Sequence, residues 1–250
     1  MSIPVFITIF VIKERIMIVK VFVLGRPGSG KSTAARYIIK QAKERGIWAE
    51  RKKDYPILHQ MFLDDTEGKF LRTSYGGFDV LDFSVIDEAL KRLEQEITSQ
   101  MDQIDGKGVV TIEFARDEYI TSLGLFDPEF LRGSYFLFVD ADLGTCIQRI
   151  HTRVAEVGKP DCHFVSDYIM HSYYSRECDW EKLRQEIDEK YSPAKVQVMH
   201  NVDDIEEFLK AVESFADSVF SDKPVTEQTV QPITLSNFAH LNLGRVLSGD

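Results

Sequence analysis

The chain offers little sulfur chemistry. Three of its 250 residues are cysteine, Cys146, Cys162 and Cys178, an odd count with no close pair. That argues against a disulfide framework and fits a reducing, cytoplasmic compartment. Cys162, His163 and Cys178 lack the CxxC spacing of a zinc knuckle, so a structural metal is not expected there. An excess of basic charge is missing too: 30 Lys and Arg against 40 Asp and Glu leave a formal net charge of −10, which argues against nucleic acid as the partner. No apolar run has membrane length. The N-terminal one, Ile3 to Ile12, is too short to cross a bilayer and lacks the basic flank and small-residue cleavage site of a secretory signal. No internal repeat stands out either.

What is present suits one large domain: 44% of the residues are apolar, enough for a substantial core. Five runs have β character: Met17 to Leu24, Ile47 to Arg51, Val109 to Glu113, Tyr135 to Asp140 and Val196 to His200. Their interiors are mostly continuously apolar rather than alternating, as in parallel strands covered on both faces. Helical patterns lie between them. Lys31 to Arg45 ends at Gly46, a C-cap candidate, and a Ser84–Asp87 capping box opens a stretch reaching Met101. Further helices are expected from Leu143 to about Val157, from Ser166 through the 180s, and from Asp203 to about Phe220. Alternating β and α segments give an α/β fold whose ligands sit at the carboxyl ends of the strands. The domain is expected over residues 17–220. Residues 1–16 read as an extension outside it, with Met17 as the working start, or as an extra edge strand. Residues 221–250 are polar and rich in Thr, Ser and Gln, and read as a flexible tail.

The strongest signal is Gly25-Arg26-Pro27-Gly28-Ser29-Gly30-Lys31-Ser32, followed by Thr33, which fits GxxxxGK[ST] between a strand and a helix. In that setting successive N–H groups and the positive helix end converge on one anion. Glycines let the backbone approach closely, Lys31 reaches the terminal phosphates, and the Ser32 hydroxyl is offered to Mg²⁺. A nucleoside triphosphate with Mg²⁺ is therefore the expected ligand.

GRPGSGKST after a strand resembles the P-loop of adenylate-kinase-like small-molecule kinases, a superfamily that includes gluconate and nucleoside kinases. The resemblance implies a P-loop three-layer sandwich with a five-stranded parallel sheet in the order 2-3-1-4-5 and a small lid. It implies ATP as the donor and a small molecule as the acceptor, with no nucleic acid, membrane or obligate protein partner. Arg149 and Arg153, four apart on one helical face, with Lys159 beyond, are similar to lid arginines that close over the phosphates. Glu113 at a strand end followed by Arg116 resembles the DGxPR region of nucleoside monophosphate kinases. It departs from that region in having Glu for Asp, no Gly or Pro, and one residue less. Glu113 would hold the metal's water shell, orient the arginine, or both, with Asp140 as the competing carboxylate. Asp54, just past the second strand, stands where hydroxyl-directed kinases place a general base, and Asn201 falls near the nucleotide.

The segment 51–83 mixes Tyr55, Phe62, Phe70, Tyr75 and Phe78 with basic residues, and Gly76-Gly77 is a hinge candidate. It favours a planar or partly apolar acceptor, or forms a satellite core. The expected function is transfer of the γ-phosphoryl group of ATP to a nucleoside, nucleotide or similar small acceptor. The alternative is a P-loop ATPase or nucleotide-binding switch acting on a protein partner. A kinase of macromolecules is a third class, and the negative charge counts against its nucleic-acid version.

Overall fold

The structure, a computed structural model, describes residues 9–15, 18–101, 103–104, 107–154, 163–201, 204–221 and 227–233. In chain order the elements are β1 (Ile9–Arg15), β2 (Ile18–Leu24), α1 (Lys31–Glu44), β3 (Trp48–Lys53), α2 (Tyr55–Leu63), β4 (Phe70–Arg72), β5 (Phe78–Val80) and α3 (Ser84–Met101). Then come β6 (Gly108–Phe114), α4 (Tyr119–Leu123), α5 (Pro128–Leu131), β7 (Tyr135–Asp140), α6 (Leu143–Val154), α7 (Asp167–Ser172), α8 (Trp180–Tyr191), β8 (Lys195–His200), α9 (Ile205–Ser221) and β9 (Glu227–Ile233).

The five apolar runs form one sheet, ordered β3-β6-β2-β7-β8 with every neighbour parallel. Renumbered within the sheet this is 2-3-1-4-5, the expected order. Strand alternation divides the core between two layers. Phe22 and Leu24, Ile112 and Phe114, and Phe136 and Phe138 pack with α2, α3 and α8 on one face. Val21, Val23, Leu137 and Val139 pack with α1 and α9 on the other. Phe22 stacks on Phe136 at 5.0 Å and meets Phe126 edge-on at 5.5 Å. Both faces of β2, β6 and β7 are covered, which is why these three read as continuous apolar runs, whereas the edge strands β3 and β8 are only partly buried.

Several local expectations need correction. α3 is entered through Asp82, whose carboxylate accepts from the Ser84 amide at 3.0 Å, rather than through a box beginning at Ser84. Ser166 does cap a helix, its hydroxyl accepting from the Ile169 amide. That helix stops at Ser172, however, and α8 starts afresh behind the Asp179 cap. Gly76-Gly77 close the turn of the antiparallel β4–β5 hairpin, where the Gly77 amide donates to Ser74. Lys159 and Cys162 lie outside the described residues, as does the expected end of α6 at Val157.

A second unit comprises residues 1–17 and 224–250. Within it β1 and β9 pair antiparallel, from Ile9 opposite Ile233 to Arg15 opposite Glu227. The polar composition of the last thirty residues gave no sign of a strand there. Among the described residues no helix is long and apolar enough to cross a membrane.

Candidate functional site: a phosphate loop opening into an aromatic cavity

β2 ends at Leu24 and the chain turns through the glycine loop into α1. Gly28 and Gly30 have φ of 84° and 109°, values that side chains avoid. A Cβ at Gly28 would also strike the Cys146 carbonyl, and one at Gly30 the Asn201 side-chain amide. The loop is thus pressed between α6 and the end of β8, with Pro27, Gly28 and Gly30 lining the cavity. The Ser29 amide donates to the Arg26 carbonyl at 3.1 Å and closes the bend. Such a cradle fits a polyphosphate.

Lys31 reaches back across the loop, its Nζ donating to the Arg26 carbonyl at 2.8 Å. Desolvation pushes its amine down from an ordinary value of 10.5 to about 8, although Glu113 pulls the other way. The sign follows from linkage: the folded chain releases this proton more readily than the unfolded one. The charged amine therefore costs stability below about pH 8, and the cost fades as pH rises toward 10.5. Phosphate needs the charged form. ATP binding is accordingly expected to take up about half a proton at pH 8 and nearly one at pH 9. Calorimetry in buffers of differing ionisation enthalpy measures this, and zero uptake at pH 9 would contradict it.

Behind the loop, the Ser32 hydroxyl donates to Glu113 Oε2 at 2.9 Å. Glu113, 3% exposed at the end of β6, also receives both arms of the Arg51 guanidinium, from Nε and, at 3.1 Å, from Nη2. The arginine that Glu113 orients is therefore Arg51 and not Arg116. With its oxygens so engaged, Glu113 could serve the water shell of a metal to which the Ser32 hydroxyl would be offered. Mg²⁺ accepts this kind of sparse oxygen set because it retains several waters. Among the described residues no group of three or more acidic, His or Cys side chains forms a dedicated metal cage. Asp140 does not line the cavity: it faces Arg26 at 3.9 Å, the His200 ring at 3.1 Å and the Trp180 indole at 3.3 Å.

Arg116 pairs instead with Asp54, Nη1 to Oδ2 at 2.7 Å, and donates to the carbonyls of Ala115 and Ile86. Both side chains are buried. Burial opposes the arginine's charge most strongly, but Asp54 together with Tyr174 and Tyr173 offsets it and holds the guanidinium above its ordinary value. Asp54 looks from its position like an N-cap of α2, yet its carboxylate goes to Arg116.

The helix α6 carries Arg149 and Arg153 to the same cavity. Arg149 makes long contacts to the carbonyls of Ser29 (3.5 Å) and Asn201 (3.4 Å), and Arg153 donates to the His163 carbonyl at 2.9 Å. Asn201, just past β8, donates from Nδ2 to the Ser29 carbonyl at 2.6 Å, so its amide braces the loop.

Lys31, Ser32, Thr33, Asp54, Glu113, Arg116, Arg149, Arg153 and Asn201 all line one cavity of about 560 Å³, with Pro27, Gly28 and Gly30 at its floor. Gly25, Arg26 and Ser29 shape the loop from outside the lining. Arg26 is the one whose side chain turns away: its guanidinium donates to the carbonyls of Tyr174 (2.8 Å), Ala141 (3.1 Å) and Arg176 (2.7 Å). Away from the loop the walls are aromatic. Tyr55 stacks on His163 at 3.9 Å and on Phe78 at 5.8 Å, and Phe83 stacks on Tyr173 at 4.9 Å. Sequence reasoning passed over Arg51 and Asp79 as site residues. Arg51 was not distinguishable from the other charges of β3, Glu50, Lys52 and Lys53; Asp79 had no sequence signal.

No family model matches the chain, and no curated protein does. Solved structures do resemble it. The adenylylsulfate (APS) kinase CysC of Mycobacterium tuberculosis, determined with AMPPNP and APS, is 18% identical with a TM-score of 0.48, covering 80% of this chain and 98% of that one. Kti12 of Chaetomium thermophilum, determined with ADP-AlF3, is 14% identical with a TM-score of 0.48 over 80% and 98%. Shikimate kinase of Acinetobacter baumannii, with shikimate bound, is 14% identical with a TM-score of 0.41 over 82% and 95%. Likeness at this level extends to the fold alone: an α/β chain with a five-stranded parallel sheet, similar to P-loop kinases.

Proposed function

We propose that this protein is an ATP- and Mg²⁺-dependent kinase of a small molecule, a nucleoside, nucleotide or similar acceptor, working in the cytoplasm. One observation carries the reading: the phosphate loop, two arginines from α6 and an aromatic chamber with a buried Asp54–Arg116 pair share a single cavity. Phosphoryl transfer asks for positioning and for positive charge around the moving group, and this set of groups supplies both. Mg-ATP brings the phosphoryl group and the metal's charge. Lys31 and the loop amides would hold the β and γ phosphates and the Ser32 hydroxyl would be offered to the metal, while Glu113 keeps Ser32 and Arg51 in register. Arg149 and Arg153 neutralise the transferring group. An acceptor oxygen bonds to the γ-phosphorus as the bond to the bridging oxygen breaks, ADP departs with that electron pair, and the acceptor's proton, where it has one, passes to Asp54.

A switch or ATPase acting on a protein partner is the second reading. The exposed apolar side chains of the β4–β5 hairpin and its flank, Leu71, Tyr75 and Leu81, favour it. ATP consumption separates the two. A kinase consumes ATP slowly alone and is quickened by one of three pools, nucleosides, nucleotides or sugars, whereas a switch ignores all three. Indifference to every pool would overturn the kinase reading.

A further inference from the structure

We infer that Asp79 reads a hydrogen-bond donor of the phosphoryl acceptor, and that this acceptor is an uncharged ring-bearing alcohol of nucleoside type and not a phosphate ester. The inference rests on the kinase reading and narrows its substrate class.

Asp79 sits in β5, opposite Leu71 of β4. The rest of the hairpin is open: Leu71 is 53% exposed and Tyr75 70%, while Asp79 is only 7% exposed and lines the cavity. A carboxylate is the costliest choice for the buried position of a surface hairpin. Its Oδ2 accepts from the Ser166 hydroxyl at 2.7 Å, which ties the hairpin to the start of α7. Its Oδ1 is buried without a hydrogen-bond partner among the described residues. A buried acceptor left unmade is expensive, and a donor arriving with a ligand offsets the cost. An alcohol, an amino group or a ring N–H supplies such a donor. A phosphate dianion supplies none and meets like charge.

The surroundings select the rest of the ligand. Phe78 and Val80 flank Asp79 on the same strand, and the two aromatic stacks, Tyr55 on His163 and Phe83 on Tyr173, belong to the same lining. Such faces favour a flat ring. Of the cations that border the aromatic walls, which include Lys53 and Arg153, Arg116 already has Asp54 as counter-ion, so an acceptor phosphate drawn to Arg116 would compete with a buried carboxylate for it. Asp79 acts here as a specificity residue; the proton and the phosphoryl group move as described above.

The test titrates adenosine, guanosine, cytidine and uridine, and each 5′-monophosphate, into the full chain saturated with Mg²⁺ and a non-hydrolysable ATP analogue. At least one nucleoside is expected to bind about tenfold or more tighter than its monophosphate. Asp79→Asn is expected to weaken that binding by about tenfold or more, with affinity for the ATP analogue within about twofold of wild type, which also certifies the variant's fold. A monophosphate binding tighter than its nucleoside, no binding by any of the eight, or nucleoside affinity within about twofold in folded Asp79→Asn would each overturn the inference. Should Asp79→Asn fail to fold, the wild-type comparison decides alone. Failure of wild type to take up the ATP analogue would bring down the kinase reading itself, a separate and visible outcome.

Discussion

Asp54→Ala is expected to lose about 3–5 kcal/mol of folding stability, read as a lowered urea midpoint. The substitution leaves the Arg116 guanidinium, 4% exposed, with its two carbonyl acceptors but without a counter-charge. Arginine cannot escape by losing its proton, so the penalty falls on the fold. The double variant Asp54→Ala/Arg116→Ala removes both charges and is expected to be less destabilised than the two single losses added together. Additive losses, or a single variant as stable as wild type, would contradict the pair's structural role. The same pair borders the aromatic chamber, so a folded Asp54→Asn is the better probe of proton transfer. Loss of a general base is expected to cut kcat by about 10²–10⁴.

Arg153→Ala is expected to reduce kcat by about 10³-fold or more, with ATP affinity within about threefold of wild type. Charge that closes on a transferring phosphoryl group has effects of about this size, and it acts on the transition state more than on bound ATP. Steady-state turnover with whichever pool quickens ATP consumption gives kcat, and calorimetry gives the affinity. Arg153→Lys keeps the charge but loses the planar fork, so a partial recovery is expected. An unchanged kcat in Arg153→Ala would remove Arg153 from the reaction and leave it as a tie to the His163 carbonyl.

The parts of this molecule legible from sequence are those decided by local chemistry or by burial on both sides. The phosphate loop is contiguous, and its glycines are forced by backbone that presses against Cys146 and Asn201. The sheet was readable because strands such as Tyr135–Asp140 have side chains in both layers and thus no polar face. Long-range side-chain choices were not readable. Glu113 and Asp54 each had an arginine to choose, and both pairs span 62 residues. Which arginine goes where depends on strand register: Arg51 lies on β3 next to β6, so it meets Glu113 across the sheet, and Arg116, past the end of β6, turns to Asp54. Asp79 was hidden because a three-residue strand is too short to show a period. The segment between α7 and α8 is held from about 150 residues away, by the Arg26 side chain donating to the carbonyls of Tyr174 and Arg176, a tie no local pattern displays.

That arginine has a mechanical consequence. Its backbone is part of the loop that grips phosphate, while its guanidinium holds the segment whose Tyr174 hydroxyl donates to Ala115, beside Arg116. The loop cannot shift without dragging the tyrosines of the far wall or giving up hydrogen bonds. On the kinase reading, a loop shift on filling one end of the chamber would be transmitted to the other, and any coupling so produced would be the same in either order of binding.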